Sequence, residues 1–369
     1  MYDFARRVQS IELSQIRKMF EVTNENAINL GIGEPDFDVP ENIKIAMKKA
    51  IDENYSHYTP NKGFLDLREE ITNKFQNENN IKTNAENIIV TTGASEALYM
   101  CSQALFDVGD EVLIPNPGFL SYEACVKLSQ AKPVELNCLM ENDFKLKAEE
   151  VVEKINKNTK AIILNSPSNP TGAVMDKEDI KAIGDLSMDH DFFIISDEIY
   201  EKIIYENKHY SVGEYSENTV TINGFSKTYA MTGFRIAYLT ANEKITSELL
   251  KVHQYCTACA NSIAQKGACE ALTGPQNEVE AMVKEFKRRR DLIVDSLNDM
   301  GHECVKSDGA FYVFPKIENP EEFVKEAAKA GVITVPGLAF GSVGKDHVRM
   351  SFANSYENIE NAMDILRKL

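Results

Sequence analysis

Thr219-Val-Thr-Ile-Asn-Gly-Phe-Ser-Lys227-Thr-Tyr-Ala-Met-Thr-Gly-Phe-Arg235 begins as a short apolar strand and then sets a lysine and an arginine eight residues apart among small and aromatic residues. A lysine just beyond a buried strand is costly to keep charged unless it is paired or used covalently. The strand itself, Val220 to Ile222, has counterparts at Ile88 to Thr91, Glu111 to Ile114, Ala161 to Leu164, Phe192 to Ile195 and Arg235 to Leu239. Helical patterns separate them. In Ser95 to Phe106, for example, Ala97, Leu98, Cys101, Ala104 and Leu105 recur at helical spacing behind a Ser95 cap. Short Val- and Ile-rich runs alternating with helices predict an α/β fold with a mostly parallel central sheet and helices on both faces. Beyond about residue 280 the pattern changes to a long charged helix, Glu278 to Met300, and short strands at Ala310 to Phe314, Val332 to Val335 and Val348 to Phe352. These predict a smaller α+β domain. The dense basic run Lys287 to Arg290, flanked by Glu285 and Asp291, is expected to be a solvated helix face.

Ligands of an open parallel sheet bind beyond the carboxyl ends of its strands, and the residues there are rich in chemistry. Thr92, Gly93, Ala94 and Ser95 join a strand to a helix and offer free N–H groups to an anion, although the same turn is also ordinary packing geometry. Pro115 to Phe119 is a rigid turn presenting an aromatic ring, and Asn165 to Gly172 is a Pro- and Asn-rich turn with Asn169 in it. Asp197 ends an apolar strand and needs a cation or hydrogen bonds; Glu198 points to the opposite face and Tyr200 follows.

Composition narrows the function. The 369 residues carry 40 Lys and Arg against 57 Asp and Glu, a net charge of −17, which disfavours a nucleic-acid partner. No run approaches the ~18 apolar residues of a membrane helix, and the first thirty residues lack a signal-peptide core. A cytoplasmic protein is the expectation. Seven cysteines spread over the chain do not read as a disulfide framework, and Cys256 and Cys259, the one CxxC, are expected to be small residues packed a helical turn apart rather than a metal site. There is no GxxxxGK[ST], HExxH or GxSxG, and Gly31-Ile-Gly33 runs into Glu34-Pro35, so no dinucleotide-binding helix opens there.

The segment Gly224 to Ala237, GFSKTYAMTGFRIA, resembles the pyridoxal-phosphate attachment motif of the class I and II aminotransferases. Other motifs agree in order and spacing over nearly the whole chain: GIGEPDF at Gly31 to Phe37, YTPNKG at Tyr58 to Gly63, NPTG at Asn169 to Gly172, DEIY at Asp197 to Tyr200 and HVRMSF at His347 to Phe352. The resemblance implies fold type I, with a large cofactor domain at 46–280 and a small domain built from 1–45 and 281–369. It also implies a homodimer with shared active sites. It implies that Lys227 holds pyridoxal 5'-phosphate covalently and shuttles the substrate proton, that Asp197 pairs with the ring nitrogen, and that Tyr200 and Asn169 bond the ring's phenolic oxygen. By the same likeness Phe119 stacks on the ring. Arg235, the amides of Ala94 and Ser95 and the partner's Tyr58 hold the phosphate, and Gly93 and Ser226 are further cofactor-binding residues. Arg349, Asn169 and the Gly33 backbone bind the substrate's α-carboxylate, and Arg17 is the candidate for a distal carboxylate. Two positions depart from the family pattern: Gly224 replaces a frequent phosphate-binding serine, and Phe119 a frequent Tyr or Trp.

The expected activity is ping-pong transfer of the amino group of an L-amino acid, aspartate favoured over aromatic donors, to 2-oxoglutarate. The same frame supports a carbon-sulfur lyase or decarboxylase. A ligand-sensing regulator would need a DNA-binding module, for which the ~30 residues before Gly31 are too few.

Overall fold

The computed structural model describes residues 4–13 and 27–369. Its main sheet contains seven strands: β2 (Ile88–Thr91), β3 (Glu111–Asn116), β4 (Lys132–Asn137), β5 (Thr159–Asn165), β6 (Phe193–Asp197), β7 (Thr219–Gly224) and β8 (Ala237–Thr240), in the order β2-β8-β7-β6-β5-β3-β4. Every residue of β2, β7 and β8 is buried, as expected for apolar strands covered on both faces. One core packs helices Ala94–Leu105 and Glu243–Cys256 against one face around Ile163, Ile195, Val220, Ile222 and Leu239. On the other face, Phe75, Ile88, Val90, Phe225 and Tyr238 form a second core with helices Leu65–Glu78 and Ser262–Thr273.

The run expected at Arg235 to Leu239 forms β8, but not as a parallel strand. It is antiparallel to both β7 and β2. The connection from β7, residues 225–236, carries no α-helix and only the short turn Thr232–Phe234, whereas a parallel return usually crosses over through a helix. The chain therefore doubles back beside the strand it has just left, pairing Asn223 with Tyr238.

Two smaller sheets complete the fold. β1 (Ile28–Asn29) pairs in parallel with β10 (Val332–Ile333), and β12 (Val348–Ser351) lies between β11 (Val335–Pro336) and β9 (Tyr312–Val313), antiparallel to both. Leu30, Phe286, Ile293, Phe311, Met350, Phe352 and Met363 pack beneath them. The long helix spans Asn277–Asp299, close to its expected limits.

Its basic run is not a solvated face. Arg288 is exposed, but Arg289 is buried and Arg290 is 0% exposed. Arg290 bonds Glu206, Asp291 and the Ser307 carbonyl, and Arg289 pairs with Asp36 and Glu285. The acids that neutralise Arg290 come partly from the loop carrying Glu206, which no local charge pattern discloses. The CxxC expectation also fails in detail. Cys256 ends its helix and Cys259 lies beyond it, because Ala258 has a left-handed backbone, φ 64°. Both thiols are free.

Candidate active site

The carboxyl ends of β2, β3, β5, β6 and β7 converge with Gly31 to Gly33 and Arg349 on a cavity of about 270 Å³. Its lining brings together Ala94, Ser95, Phe119, Asn169, Asp197, Tyr200, Ser226, Lys227, Arg235, Gly33 and Arg349. A cavity of about 670 Å³ elsewhere contains neither Lys227, Asp197 nor Arg349, so volume alone does not mark the site.

Lys227 follows directly from β7 and donates from Nζ to the Gly33 carbonyl at 2.7 Å. Burial pushes its ammonium down to about 8, with Arg235 and Arg349 acting in the same direction and Glu34 and Asp197 opposing. Asp197, at the end of β6, is buried; its Oδ2 accepts from the Tyr122 hydroxyl at 2.9 Å. Burial raises its carboxyl to about 6, the nearby Glu198 adding to the rise while the hydrogen bonds from Tyr122 and Ile199 and the charge of Lys227 restrain it. Asn165 fixes the local backbone, donating to the Asp197 carbonyl and accepting from the Asn169 N–H.

Arg349 projects from β12 and is almost fully buried. Nη1 donates to Asn169 Oδ1 at 2.9 Å and Nη2 to the Gly31 carbonyl at 2.5 Å, while Nε has no partner among the described residues. The guanidinium lies against the Tyr312 and Phe340 rings. Burial lowers its pKa, and Tyr312 and Tyr200 oppose that. Tyr200 and Tyr312 share a 2.8 Å hydrogen bond between hydroxyls. Gly33 is required by this close packing, because a Cβ there would lie 2.1 Å from the Tyr312 hydroxyl.

Arg235 bonds the Thr232 carbonyl and lies against Gly93, where a Cβ would meet Nη2 at 2.6 Å. Gly93 also has φ 82°, a backbone that favours glycine, and leads into the helix whose first-turn N–H groups belong to Ala94 and Ser95. Lys227, Arg235 and Arg349 have no carboxylate partner within salt-bridge distance among the described residues. Three such cations around one small cavity constitute an anion site.

Tyr58 is not brought to this cavity; it is 90% exposed. Arg17 lies outside the described residues. Sequence reasoning missed Tyr122 and Tyr312. Tyr122 carries a weak signal, three residues after Phe119 at the start of helix Ser121–Leu128, whereas Tyr312 reaches the site only through the pairing of β9 with β12.

A lysine, a buried carboxylate and an anion cradle at the ends of a mostly parallel sheet define a pyridoxal-phosphate-dependent transferase of fold type I. The family model described as "Aminotransferase class I and II" matches residues 25–366, and the chain belongs to that family. It is 47% identical to the probable aspartate aminotransferase of Methanocaldococcus jannaschii, over 98% of each chain. Among solved structures it resembles the aspartate aminotransferase of Thermus thermophilus with maleate, at TM-score 0.95 and 36% identity over 100% of both chains. It also resembles the aromatic aminotransferase of Pyrococcus horikoshii OT3, at TM-score 0.91 and 41% identity over 96% of this chain and 98% of that one. The protein is an aminotransferase, and its cofactor is pyridoxal 5'-phosphate. The residues present fit that group: the Arg235–Gly93 cradle suits its phosphate, the buried Asp197 carboxylate its ring nitrogen, and Lys227 its aldehyde.

Proposed function

We propose that the chain moves the amino group of L-aspartate to 2-oxoglutarate by a ping-pong mechanism. The observation that carries this reading is Arg349, a buried guanidinium near Lys227 that has, among the described residues, an unpartnered Nε and no carboxylate of its own, which suits the α-carboxylate shared by amino and oxo acids. Arg235 and the N–H groups of Ala94 and Ser95, with Gly93 and Ser226, would hold the cofactor phosphate; Asp197 would hold the ring nitrogen, Phe119 the ring face, and Tyr200 and Asn169 the phenolic oxygen. Bound there, pyridoxal phosphate supplies an electron sink for the substrate's α-carbon. Lys227 removes the α-proton with its neutral amine and returns a proton on the other side of the transfer. Asp197 is mostly ionised at neutral pH, which keeps a positive charge favourable opposite it. Asn169 and the Gly33 backbone complete the carboxylate grip, and Arg17 is the proposed contact for aspartate's distal carboxylate.

The chain would divide into a cofactor unit, 46–280, and a second unit from 1–45 and 281–369, and work in the cytoplasm as a homodimer. Pairing of β1 with β10 supports the joining of the two ends. The exposed Tyr58 supports a shared site in which it reaches the partner's phosphate.

Aromatic donors are a second reading. Among the described residues, Lys227, Arg235 and Arg349 are the only basic groups lining the cavity, and Phe119, Tyr122 and Tyr312 supply aromatic walls. The test adds single amino acids to the loaded enzyme and follows the cofactor's absorption, with 2-oxoglutarate supplied to restore it. Aspartate is expected to bleach the band at the lowest concentration; a response to tyrosine and phenylalanine with none to aspartate would reverse the assignment.

A further inference from the structure

Glu96 sits in the first turn of helix Ala94–Leu105, and its two oxygens serve different segments. Oε2 accepts the Thr92 N–H at 2.5 Å, closing the turn that contains Gly93. Oε1 accepts from Thr257 Oγ1 at 2.7 Å and lies 2.8 Å from His253 Nδ1. The other ring nitrogen of His253, Nε2, lies 2.8 Å from the Asn61 carbonyl oxygen. His253 is 0% exposed. A carbonyl oxygen only accepts, and so does an ionised carboxylate. Nε2 therefore donates to the Asn61 carbonyl, and Nδ1 and the Glu96 carboxyl share a hydrogen bond. Burial would raise the Glu96 carboxyl, but the bonds from His253 and the Thr92 N–H outweigh it and hold Glu96 below its ordinary value.

Neither Glu96 nor His253 lines the cavity. We infer that they are positioning residues, a buried hydrogen-bonded pair that yokes the phosphate turn Thr92 to Ser95 to the loop Tyr58 to Gly63. The inference rests on the phosphate role proposed above for that turn. Asn61 strengthens the second attachment, donating from Nδ2 to the Ala258 carbonyl. One buried imidazole thus sets the turn facing this chain's own cofactor and the loop whose Tyr58 faces outward.

Hydrogen-bond accounting separates this role from simple packing. In Glu96→Gln the amide oxygen still accepts the Thr92 N–H. The amide nitrogen donates to Thr257 Oγ1 and to Nδ1 of a neutral His253, whose Nε2–H still reaches Asn61. Every one of these contacts survives in the amide. In Glu96→Leu the Thr92 N–H, the Thr257 hydroxyl and His253 all lose their acceptor.

The test measures Kd of the cofactor-free protein for pyridoxal 5'-phosphate and for pyridoxal, which lacks the phosphate, by equilibrium dialysis. Glu96→Leu is expected to weaken pyridoxal phosphate roughly tenfold or more, leaving pyridoxal unchanged, whereas Glu96→Gln stays within about threefold of wild type for both. Equal losses for both ligands, a Glu96→Gln as weak as Glu96→Leu, or an unaffected Glu96→Leu would each overturn the inference. Should Glu96→Leu not fold, Thr257→Val removes one bond from the same carboxylate and is expected to lower the preference for the phosphorylated ligand. An unchanged preference there counts against the role. A wild type that binds both ligands alike overturns the phosphate reading itself.

Discussion

Lys227 owes its chemistry to the company it keeps. Its amine is surrounded by protein, donates to the Gly33 carbonyl, and shares the cavity with two guanidiniums, so its charged form is disfavoured and its pKa is pushed down to about 8. Only the neutral amine is a nucleophile. The rate at which cofactor-free protein attaches pyridoxal phosphate should therefore climb as pH rises through about 8 and level off above it, rather than continuing toward the ordinary lysine value. Stopped-flow absorbance from pH 6.5 to 10 checks this, and a rate still rising steeply at pH 10 would contradict it. At this scale the sequence was most informative. Lys227, Asp197 and Asn169 were legible because each ends or follows a strand inside a motif of fixed spacing, whereas Arg349, inside a short strand, was legible only through the likeness of HVRMSF to the family's motif. Tyr312 was not, since its approach to Tyr200 depends on how two short strands pair.

Among the elements, the long helix Asn277–Asp299 carries a charge pattern that reads as surface but is partly interior. Arg290 is fully buried and held by Glu206, Asp291 and the Ser307 carbonyl. Removing it leaves a void in a packed site and takes a donor from the Ser307 carbonyl, while Glu206 keeps Lys287 and Asp291 keeps Lys306, so Arg290→Ala is expected to lower unfolding free energy by about 2 kcal/mol. Arg288→Ala, two residues away on the exposed side, should leave the urea midpoint where it is. Equal midpoints for the two variants would show that burial of Arg290 contributes nothing. The helix limits were readable from apolar periodicity. Which arginines turn inward was not, because the 23-residue helix is covered on several sides by elements distant in sequence.

For the whole molecule, the proposed dimer predicts complementation. If Tyr58 serves the partner's site, mixing refolded Lys227→Ala and Tyr58→Ala chains should regenerate one intact site per mixed dimer. Activity should then rise to about a quarter of wild type above whatever Tyr58→Ala retains. No gain on mixing, with mixed dimers present by native mass spectrometry, would place each site within one chain. The sheet order was legible only in part: the alternation of strands and helices gave the parallel body, while the reversal of β8 turns on the absence of a helix from residues 225–236, a stretch long enough to be mistaken for a crossover. That reversal also separates the mechanical supports of the site. Lys227 and Arg235 lie on one loop clamped at both ends by neighbouring strands of the same sheet, whereas Arg349 belongs to a different sheet. A substitution beneath β9 and β12 can therefore reposition the Arg349 guanidinium while the eight-residue interval between Lys227 and Arg235 stays fixed by β7 and β8.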